Sequence, residues 1–256
     1  MSKIICIANQ KGGVGKTTTA INLSASLALA ERKTLLIDCD SQGNTSSGMG
    51  IDSAASRGKN LYHALIGEVP INDVVMATQI PHLDMIPADQ DLIGAEIEFV
   101  HIEGRELILR RMLRQLGALY EFILIDCPPS LGFLTLNALV AADFLIVPLQ
   151  CEFFAMEGLG HLLGTVKLIK ARWNPSLTFA GILLTMFDAR NLLSHRVSED
   201  VRTHFGKKVF NTVIPRNVRL SESQSHGLPI ILYDVKSRGA LSYMQLAREI
   251  LMNGRI

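Results

Sequence analysis

A glycine-rich loop between an apolar run and a helix-like run constrains this chain more than any other feature. Residues 11–18 read Lys-Gly-Gly-Val-Gly-Lys-Thr-Thr; the apolar residues 4–8 precede them and a helix-like run to residue 30 follows. A strand, a glycine loop and a helix in this order form a phosphate-binding loop, because glycine lets backbone N–H groups turn toward phosphate oxygens. The sequence therefore predicts a nucleotide site on an α/β fold.

Individual residues of this loop have different functions in such a nucleotide site. Lys16 supplies a positive charge for the β- and γ-phosphates, and the Thr17 hydroxyl is a ligand for Mg²⁺. The positive end of the following helix adds to the attraction. The candidate nucleotide-binding residues are Lys11, Gly12, Gly13, Val14, Gly15, Lys16, Thr17 and Thr18. The alternative is a glycine-rich turn with a solvated Lys16, which the flanking strand and helix disfavour.

Short apolar runs alternate with longer amphipathic ones along the whole chain. Nearly continuous hydrophobicity in the short runs is typical of parallel strands that are covered on both faces. Predicted strands span residues 4–8, 34–37, 83–86, 122–125, 144–149, 179–184 and 213–214. Predicted helices span residues 17–30, 61–66, 105–117, 134–142, 157–172, 193–205 and 240–253. The alternation predicts an α/β fold with a doubly wound, mostly parallel sheet and helices on both faces.

Composition excludes several classes of protein. The chain has 256 residues, 48% of them hydrophobic, and a net charge of +1, and no linker divides it, so we expect one domain over residues 1–256. No apolar stretch approaches the roughly 18 residues that span a bilayer, and the N-terminus does not resemble a signal peptide. We therefore expect a cytoplasmic protein. Four cysteines lie in or beside apolar runs without metal-ligand spacing, which indicates reduced core residues.

Carboxylates follow two of the predicted strands, where ligands bind in parallel sheets. Asp38 and Asp40 come after the second strand, and alternation would turn both toward the glycine loop. One could orient the attacking water while the other holds a magnesium-bound water. Asp126 ends a later apolar run, an arrangement in which the carboxylate supports Mg²⁺ through water. Capping of turns is the alternative for Asp38 and Asp40.

These motifs together resemble the ParA/MinD family of ATPases with a deviant Walker A loop. The second lysine, Lys11, matches that loop, and residues 126–130, Asp-Cys-Pro-Pro-Ser, resemble ParA proteins specifically. Residues 38–44 resemble the family's switch I, with Ser41 in place of a proline. The resemblance spans nearly the whole chain, and it identifies the chain as a member of the ParA-type partitioning ATPases of the compact Soj type.

The resemblance implies roles that the residues alone leave open. It implies that Lys11 reaches across a dimer interface to the partner's nucleotide, where its alternative is a surface charge. It implies that Lys11, Lys16 and Asp40 are catalytic, and that the Mg²⁺ site comprises Thr17, Asp40 and Asp126. Pro215 and Asn217 match positions that contact the adenine. From the residues alone, a turn between a strand and a helix is the simpler interpretation of Pro215 and Asn217.

A basic segment offers a candidate nucleic-acid surface. Residues 186–238 contain nine Lys or Arg and five Asp or Glu, while the rest of the chain is acidic overall. Charge alone favours a solvated face, but the resemblance implies that Arg190 and Arg219 contact DNA. Weaker candidates are Lys207, Lys208, Lys236 and Arg238. Because no recognition-helix motif is present, binding to double-stranded DNA would be independent of sequence and sensitive to salt.

The resemblance implies a cycle with defined partners. ATP and Mg²⁺ would bind, two subunits would close face to face, and the homodimer would bind DNA nonspecifically on the nucleoid. A ParB-like centromere-binding protein would stimulate hydrolysis and release the dimer, with no stable membrane association.

Two other functions fit the same ATPase. A MinD-like membrane-cycling ATPase would need a C-terminal amphipathic helix with clustered basic residues, and residues 241–256 have few. A ParA-like positioning protein for a non-DNA cargo remains an open alternative. A metabolic kinase is disfavoured, since no acceptor-substrate domain is evident.

Overall fold

A seven-stranded sheet forms the centre of the structure, a computed structural model that describes residues 2–52, 54–152, 155–252, 254 and 256. The strands are β1 (Lys3–Ile7), β2 (Thr34–Asp38), β3 (Met76–Ala77), β4 (Leu83–Ile86), β5 (Phe122–Asp126), β6 (Phe144–Gln150) and β7 (Thr178–Thr185). Their order across the sheet is β3-β4-β2-β5-β1-β6-β7, and only the β3–β4 pair is antiparallel. The predicted doubly wound, mostly parallel sheet is confirmed.

Helices cover both faces of this sheet. They are α1 (Lys16–Leu29), α2 (Asn44–Gly48), α3 (Leu61–Leu65), α4 (Leu92–Glu98), α5 (Ile108–Gln115), α6 (Phe133–Ala141), α7 (Ala155–Arg172), α8 (Leu192–Phe205), α9 (Val218–Ser225), α10 (Ile230–Tyr233) and α11 (Arg238–Met252). Short 3₁₀ turns span Ile71–Val74, Phe99–His101, Arg105–Leu107 and Gly206–Lys208. Helices α1 and α11 pack on one face, while α3 to α8 pack on the other.

Alternation along the strands divides the core into two layers. In β1, Ile5 and Ile7 belong to the cluster under α1 and α11, while Cys6 belongs to the cluster under α3 to α8. Both sets are completely buried because helices cover both faces, which explains why the strands read as continuous apolar runs. The four cysteines are buried and unbridged, in agreement with the sequence analysis.

The strand predicted at residues 213–214 is wrong. This segment runs beside β7, but its pairing is limited to isolated bridges such as Phe187 with Pro215. Two nearby N–H groups, those of Asn211 and Thr212, donate to the carboxylate of Glu249 instead of to a neighbouring strand. Pro215 has no N–H to donate, so a regular ladder cannot continue past it.

Other differences concern short elements and the ends of helices. Helices α2, α4, α9 and α10 and strand β3 were not predicted; each has eight residues or fewer, and a hydrophobic period is weak over so short a segment. The helix predicted at residues 105–117 begins with a 3₁₀ turn, and α5 covers only its second part. The helix predicted at residues 240–253 begins two residues earlier, and residue 253 lies outside the described residues.

Within the described ranges, no helix combines the length and apolarity that crossing a bilayer requires.

Candidate nucleotide site

A polar cleft of about 570 Å³ opens where β1, β2 and β5 end. Ligands bind at this edge of a parallel sheet, because the connecting loops separate there. The lining residues come from the glycine loop and the start of α1, from the loop after β2 and α2, from α9, and from the segments that follow β5 and β7. They are Gly12, Gly13, Gly15, Lys16, Thr17, Thr18, Asp40, Asn44, Ser47, Gly48, Pro129, Met186, Ser221, Gln224 and Ser225. The structure thus brings the predicted loop and Asp40 to one cleft.

The glycine loop is shaped by two residues in the left-handed backbone region. Gly13 has a φ of 73° and Gly15 a φ of 85°, values that residues with a Cβ rarely adopt. The loop is also fixed from outside, since the Thr185 hydroxyl donates to the carbonyl of Val14 at 2.8 Å. The side chain of Gln224 in α9 donates to the Thr18 hydroxyl at 3.1 Å. The result is a concave backbone at the N-terminus of α1, as phosphate recognition requires.

Lys16 is nearly buried at the base of the loop, with 7% of its surface exposed. Its Nζ donates a hydrogen bond to the carbonyl of Lys11 at 3.0 Å. Burial lowers the pKa of Lys16, while the charge of Asp126 opposes that shift. A cation held in a water-poor loop attracts an anion more strongly than a solvated lysine does.

Asp126 and Thr17 meet as the sequence predicted, and a second threonine joins them. The hydroxyls of Thr17 and Thr45 donate to the same Asp126 oxygen, Oδ2, at 2.8 and 2.6 Å. Among the described residues, no group donates to the buried Oδ1 of Asp126. Burial raises the pKa of Asp126 to about 6, although the hydrogen bonds from Thr45 and Thr17 lower it.

This donor set fits a magnesium ion bound together with a nucleotide. A hydroxyl and a carboxylate with a free oxygen are the hard ligands that Mg²⁺ prefers, and Mg²⁺ usually keeps waters and phosphate oxygens as its remaining ligands. No cluster of three His, Cys, Asp or Glu side chains suited to a metal occurs in the described part of the chain.

The structure separates the two carboxylates that follow β2. Asp40 lines the cleft, and its Oδ1 accepts the N–H of Gln42 at 3.0 Å. Asp38 is fully buried and accepts from the N–H and hydroxyl of Ser46 and from the N–H of Asp40. The expectation that both face the glycine loop is therefore wrong, because β2 ends at Asp38 and the alternation stops there. Burial and the charge of Asp126 raise the pKa of Asp38 to about 7.

Lys11 lies at the rim rather than among the residues that line the cleft. Asn9 fixes its backbone, since Asn9 Oδ1 accepts the N–H of Lys11 at 3.0 Å and Asn9 Nδ2 donates to the carbonyl of Pro148. The ammonium of Lys11 lies 2.7 Å from Oε1 of Glu152, which follows β6.

Pro215 and Asn217 line a smaller cleft of about 160 Å³ together with Gly15 and Thr18 of the loop. The Asn217 side chain accepts the N–H of Arg219 at 2.9 Å and thereby caps α9. The turn before a helix expected from the residues alone is thus present, with Asn217 as the cap of α9. The position beside the glycine loop is also the position that contact with a base would need.

The structure brings some of the basic candidates together and separates others. Arg190 and Arg219 lie on adjoining segments, since the N–H of Phe187 donates to Ile214 and the N–H of Arg216 donates to Phe187. Lys207 and Lys208 lie near the other end of β7, where Lys208 Nζ donates to the carbonyl of Phe179. Six steps along β7 separate Phe179 from the strand end at Thr185, just before Phe187, a distance of about 20 Å.

Carboxylates accompany both arginines. The guanidinium of Arg190 forms two hydrogen bonds with Asp188, at 3.0 and 2.9 Å, and Arg219 pairs with Glu222 at 2.8 Å and Asp234 at 3.8 Å. Lys236 and Arg238 are exposed at the N-terminal side of α11. The cations on this surface are therefore accessible but partly neutralised.

Sequence reasoning missed several polar residues around the site. Thr45 on α2 and Gln224 on α9 were missed because their helices are too short for a periodic pattern. Asn9 directly precedes the loop motif, and a buried asparagine there was the available signal. Glu152 follows a strand end and carried no signal in the sequence.

The comparisons with known proteins agree with this geometry. Residues 2–179 match a family model described as an AAA domain. A chromosome partitioning protein ParA from Myxococcus xanthus is 56% identical over 98% of this chain and 88% of its own length. The sporulation initiation inhibitor protein Soj from Bacillus subtilis is 52% identical over 99% of this chain and all of its own length.

A solved structure is similar over the whole fold. It is a cobyrinic acid a,c-diamide synthase from Mycobacterium smegmatis with bound ADP and magnesium. It superposes with a TM-score of 0.87 at 36% identity, over all of this chain and 96% of that chain.

The parallel sheet, the glycine loop at the start of α1 and the acidic strand end define a P-loop nucleotide-hydrolysing protein. The extra lysine at the loop and the relatives that match over nearly the full length narrow this class further. The chain belongs to the ParA/Soj family of chromosome-partitioning ATPases. It is an ATPase whose cofactors are ATP and Mg²⁺.

Proposed function

We propose that this ATPase segregates DNA by cycling between an ATP-bound dimer on DNA and a released subunit. The relatives named as partitioning proteins support this assignment. The observation that carries it is the position of Lys11. Its backbone is fixed by a hydrogen bond to Asn9, and it lies at the rim of a cleft that already contains Lys16. A second cation that does not line its own cleft is available for a nucleotide held by another subunit.

The glycine loop would bind the phosphates in this proposal. Backbone N–H groups of residues 12–18 and the ammonium of Lys16 would face the phosphate oxygens. Thr17 and Asp126 would hold Mg²⁺, with Asp40 close to it, and the bound ion would neutralise charge on the β- and γ-phosphates. Pro215 and Asn217 would contact the adenine in the adjoining small cleft.

Asp40 is the proposed catalytic carboxylate. It lines the cleft with 8% of its surface exposed, and one of its oxygens is already oriented by the N–H of Gln42. A carboxylate held in this way can align a water molecule for attack on the γ-phosphate. Asp38 is assigned no chemical role, because its hydrogen bonds hold the start of α2 against β2.

Lys11 would complete the site of a second subunit. In a symmetric dimer each subunit would offer its lysine to the other, in the manner of an arginine finger supplied in trans. The nucleotide would then form part of the interface, so that ATP binding favours dimerisation and hydrolysis favours separation.

The DNA surface proposed for the dimer comprises Arg190 and Arg219, with Lys236 and Arg238 beside Arg219. Closing two subunits would double the number of cations that face the DNA. Phosphates would have to displace Asp188 and Glu222 from the two arginines, which predicts weak binding by one subunit. Lys207 and Lys208 are a less favourable part of this surface because they lie near the other end of β7.

A ParB-like partner at centromere-like sites would stimulate hydrolysis and release the dimer from DNA. A MinD-like membrane cycle is less well supported, since residues of α11 such as Tyr243, Leu246 and Ile250 are buried against the sheet. A helix that packs into the core does not offer its apolar face to a lipid surface.

The direct test measures DNA retention with ATP and Mg²⁺, and ATP turnover with DNA and a ParB-like protein, separately and together. The wild type should be retained on DNA of arbitrary sequence only with ATP, and Asp40→Ala should stay on DNA with little turnover. Arg219→Glu should dimerise but lose retention by tenfold or more, on the order expected when a phosphate contact becomes repulsive.

Arg248→Glu is the matched control, because Arg248 is an exposed arginine on α11 that bonds only to Met252 among the described contacts. Retention that survives Arg219→Glu would move the DNA surface elsewhere. Rapid turnover by Asp40→Ala would exclude Asp40 as the catalytic carboxylate.

A further inference from the structure

The side chain of Lys11 is held within its own subunit by an acidic residue. Its ammonium lies 2.7 Å from Oε1 of Glu152, and the two side chains are 44% and 35% exposed. The Glu152 oxygen that faces Lys11 is itself shielded from solvent. Partial shielding makes this ion pair less sensitive to screening than a fully solvated pair.

The two residues are joined through strands that are neighbours in the sheet. Lys11 follows β1, Glu152 follows β6, and these strands pair in parallel over Ile5–Ile7 and Phe144–Ile146. Asn9 ties the loop that carries Lys11 to β6 itself, through Lys11 and Pro148. Glu152 lies two residues beyond that strand, and its N–H donates to the carbonyl of Gln150 at 2.9 Å.

We propose that Glu152 is a positioning residue that retains Lys11 in its own subunit and thereby opposes ATP-dependent pairing of two subunits. The proposal rests on the function proposed above, in which Lys11 binds a nucleotide in trans. Lys11 cannot lie against Glu152 and reach across an interface at once, so the two contacts compete. A carboxylate carries less charge than a triphosphate, so the trans contact wins when ATP is present.

Symmetry doubles the effect of this competition. Each dimer requires two lysines to leave two glutamates, one in each subunit. Partly exposed pairs change an equilibrium by up to about fivefold each, so removing Glu152 should lower the dimer dissociation constant about three- to tenfold. Glu152 would then set the protein concentration at which ATP drives dimerisation.

The test uses Glu152→Gln, which removes the charge and keeps the size. Sedimentation equilibrium with ATP and Mg²⁺ should show the tighter dimer, and Glu152→Asp, which keeps the charge, should lie between the variant and the wild type. A dissociation constant that is unchanged or raised in Glu152→Gln overturns the proposal. Glu121→Gln is the control, since it breaks the surface pair with Arg32 away from the cleft and should change nothing.

Two further measurements separate this proposal from the proposed function. Without ATP, an amine-acylating reagent should modify Lys11 about two- to fivefold faster in Glu152→Gln, read by mass spectrometry of the Lys11 peptide. An unchanged rate of acylation would show that the ion pair does not form in solution and would overturn the proposal, whatever the dimer dissociation constant is. In a Lys11→Ala background, Glu152→Gln should give no tighter dimer, and a gain there overturns a role through Lys11. If the proposed function is wrong, the result is different: Lys11→Ala by itself dimerises like the wild type.

Discussion

Two buried carboxyl groups, at the ends of β2 and β5, lower the stability of the folded chain when they are ionised. Burial raises the pKa of Asp38 to about 7 and that of Asp126 to about 6. A carboxyl whose pKa is raised by folding binds its proton more tightly in the folded chain than in the unfolded one. For each group, the free energy of unfolding therefore falls as the pH rises from the pKa of the unfolded chain to the higher pKa of the folded chain. Asp126 incurs this cost where the proposed metal site needs a charged oxygen.

Asp126→Asn should remove that cost. Its carbonyl can still accept from Thr17 and Thr45, so the contacts of Oδ2 persist. Without nucleotide or Mg²⁺, the free energy of unfolding of the wild type should decrease between pH 4 and 6. Above this interval the variant should be more stable by about 1–3 kcal/mol.

Urea unfolding at pH 5 and pH 8 measures this difference, with Asp73→Asn, at an exposed position in the 3₁₀ turn Ile71–Val74, as control. A variant that is less stable than the wild type at pH 8 would contradict the assignment of a raised pKa to Asp126. The same variant should bind ATP without a response to Mg²⁺.

Gly15 is a second position where one residue decides the site. Its φ of 85° is unfavourable for alanine, although a Cβ would meet no atom closer than 3.9 Å. Gly15→Ala should therefore lose about 1–2 kcal/mol of stability from backbone strain alone, and ATP affinity with it.

Gly12→Ala is the matched control for stability, because Gly12 has no positive φ and its Cβ would meet only Pro129 at 3.9 Å. Chemical denaturation of both variants compares them. Equal stabilities would mean that the loop adopts another backbone in solution.

At the scale of elements, α11 holds the segment that borders the small cleft. The carboxylate of Glu249 accepts the N–H groups of Asn211 and Thr212, both at 2.8 Å, and Glu249 is 8% exposed. The same segment continues to Pro215 and Asn217. The last helix therefore fixes residues that are proposed to contact the base, and its Tyr243 also lines the cleft.

Glu249→Gln should loosen this attachment. One amide N–H₂ would replace an acceptor in front of a backbone N–H, at a cost of about 1–3 kcal/mol in stability. The affinity for ATP should fall with it, as nucleotide titration and thermal unfolding would show. Glu98→Gln is the control, since its exposed side chain can still accept from Tyr62. If Glu249→Gln is destabilised but its ATP affinity is unchanged, the segment does not contribute to binding of the base.

The sequence predicts those elements of this molecule that have a hydrophobic pattern or a motif within their own residues. Six predicted strands and the helix after the glycine loop are found, because apolar runs and the glycine motif are local. The segment at residues 213–214 was misjudged, since Glu249 captures neighbouring N–H groups from a distant helix. The orientation of Asp38 and the partners Thr45, Gln224 and Glu152 depend on how loops meet after folding. Local patterns hold no information about such contacts.

At the scale of the whole molecule, two features support the proposed association of two subunits. Its own lysine, Lys16, is buried in the loop, while Lys11 is held at the rim by Asn9 and Glu152. The two arginines proposed to face DNA are paired with carboxylates, so a single subunit presents them partly neutralised. Both observations favour a protein whose activity depends on the association of two subunits.

Sedimentation equilibrium of Lys11→Ala and the wild type, each with ATP and with ADP in the presence of Mg²⁺, tests this claim most directly. The wild type should form a dimer with ATP but not with ADP, whereas Lys11→Ala should bind ATP and stay a monomer. A Lys11→Ala variant that dimerises with ATP and hydrolyses it at the wild-type rate would contradict the proposed role of Lys11 in a second subunit.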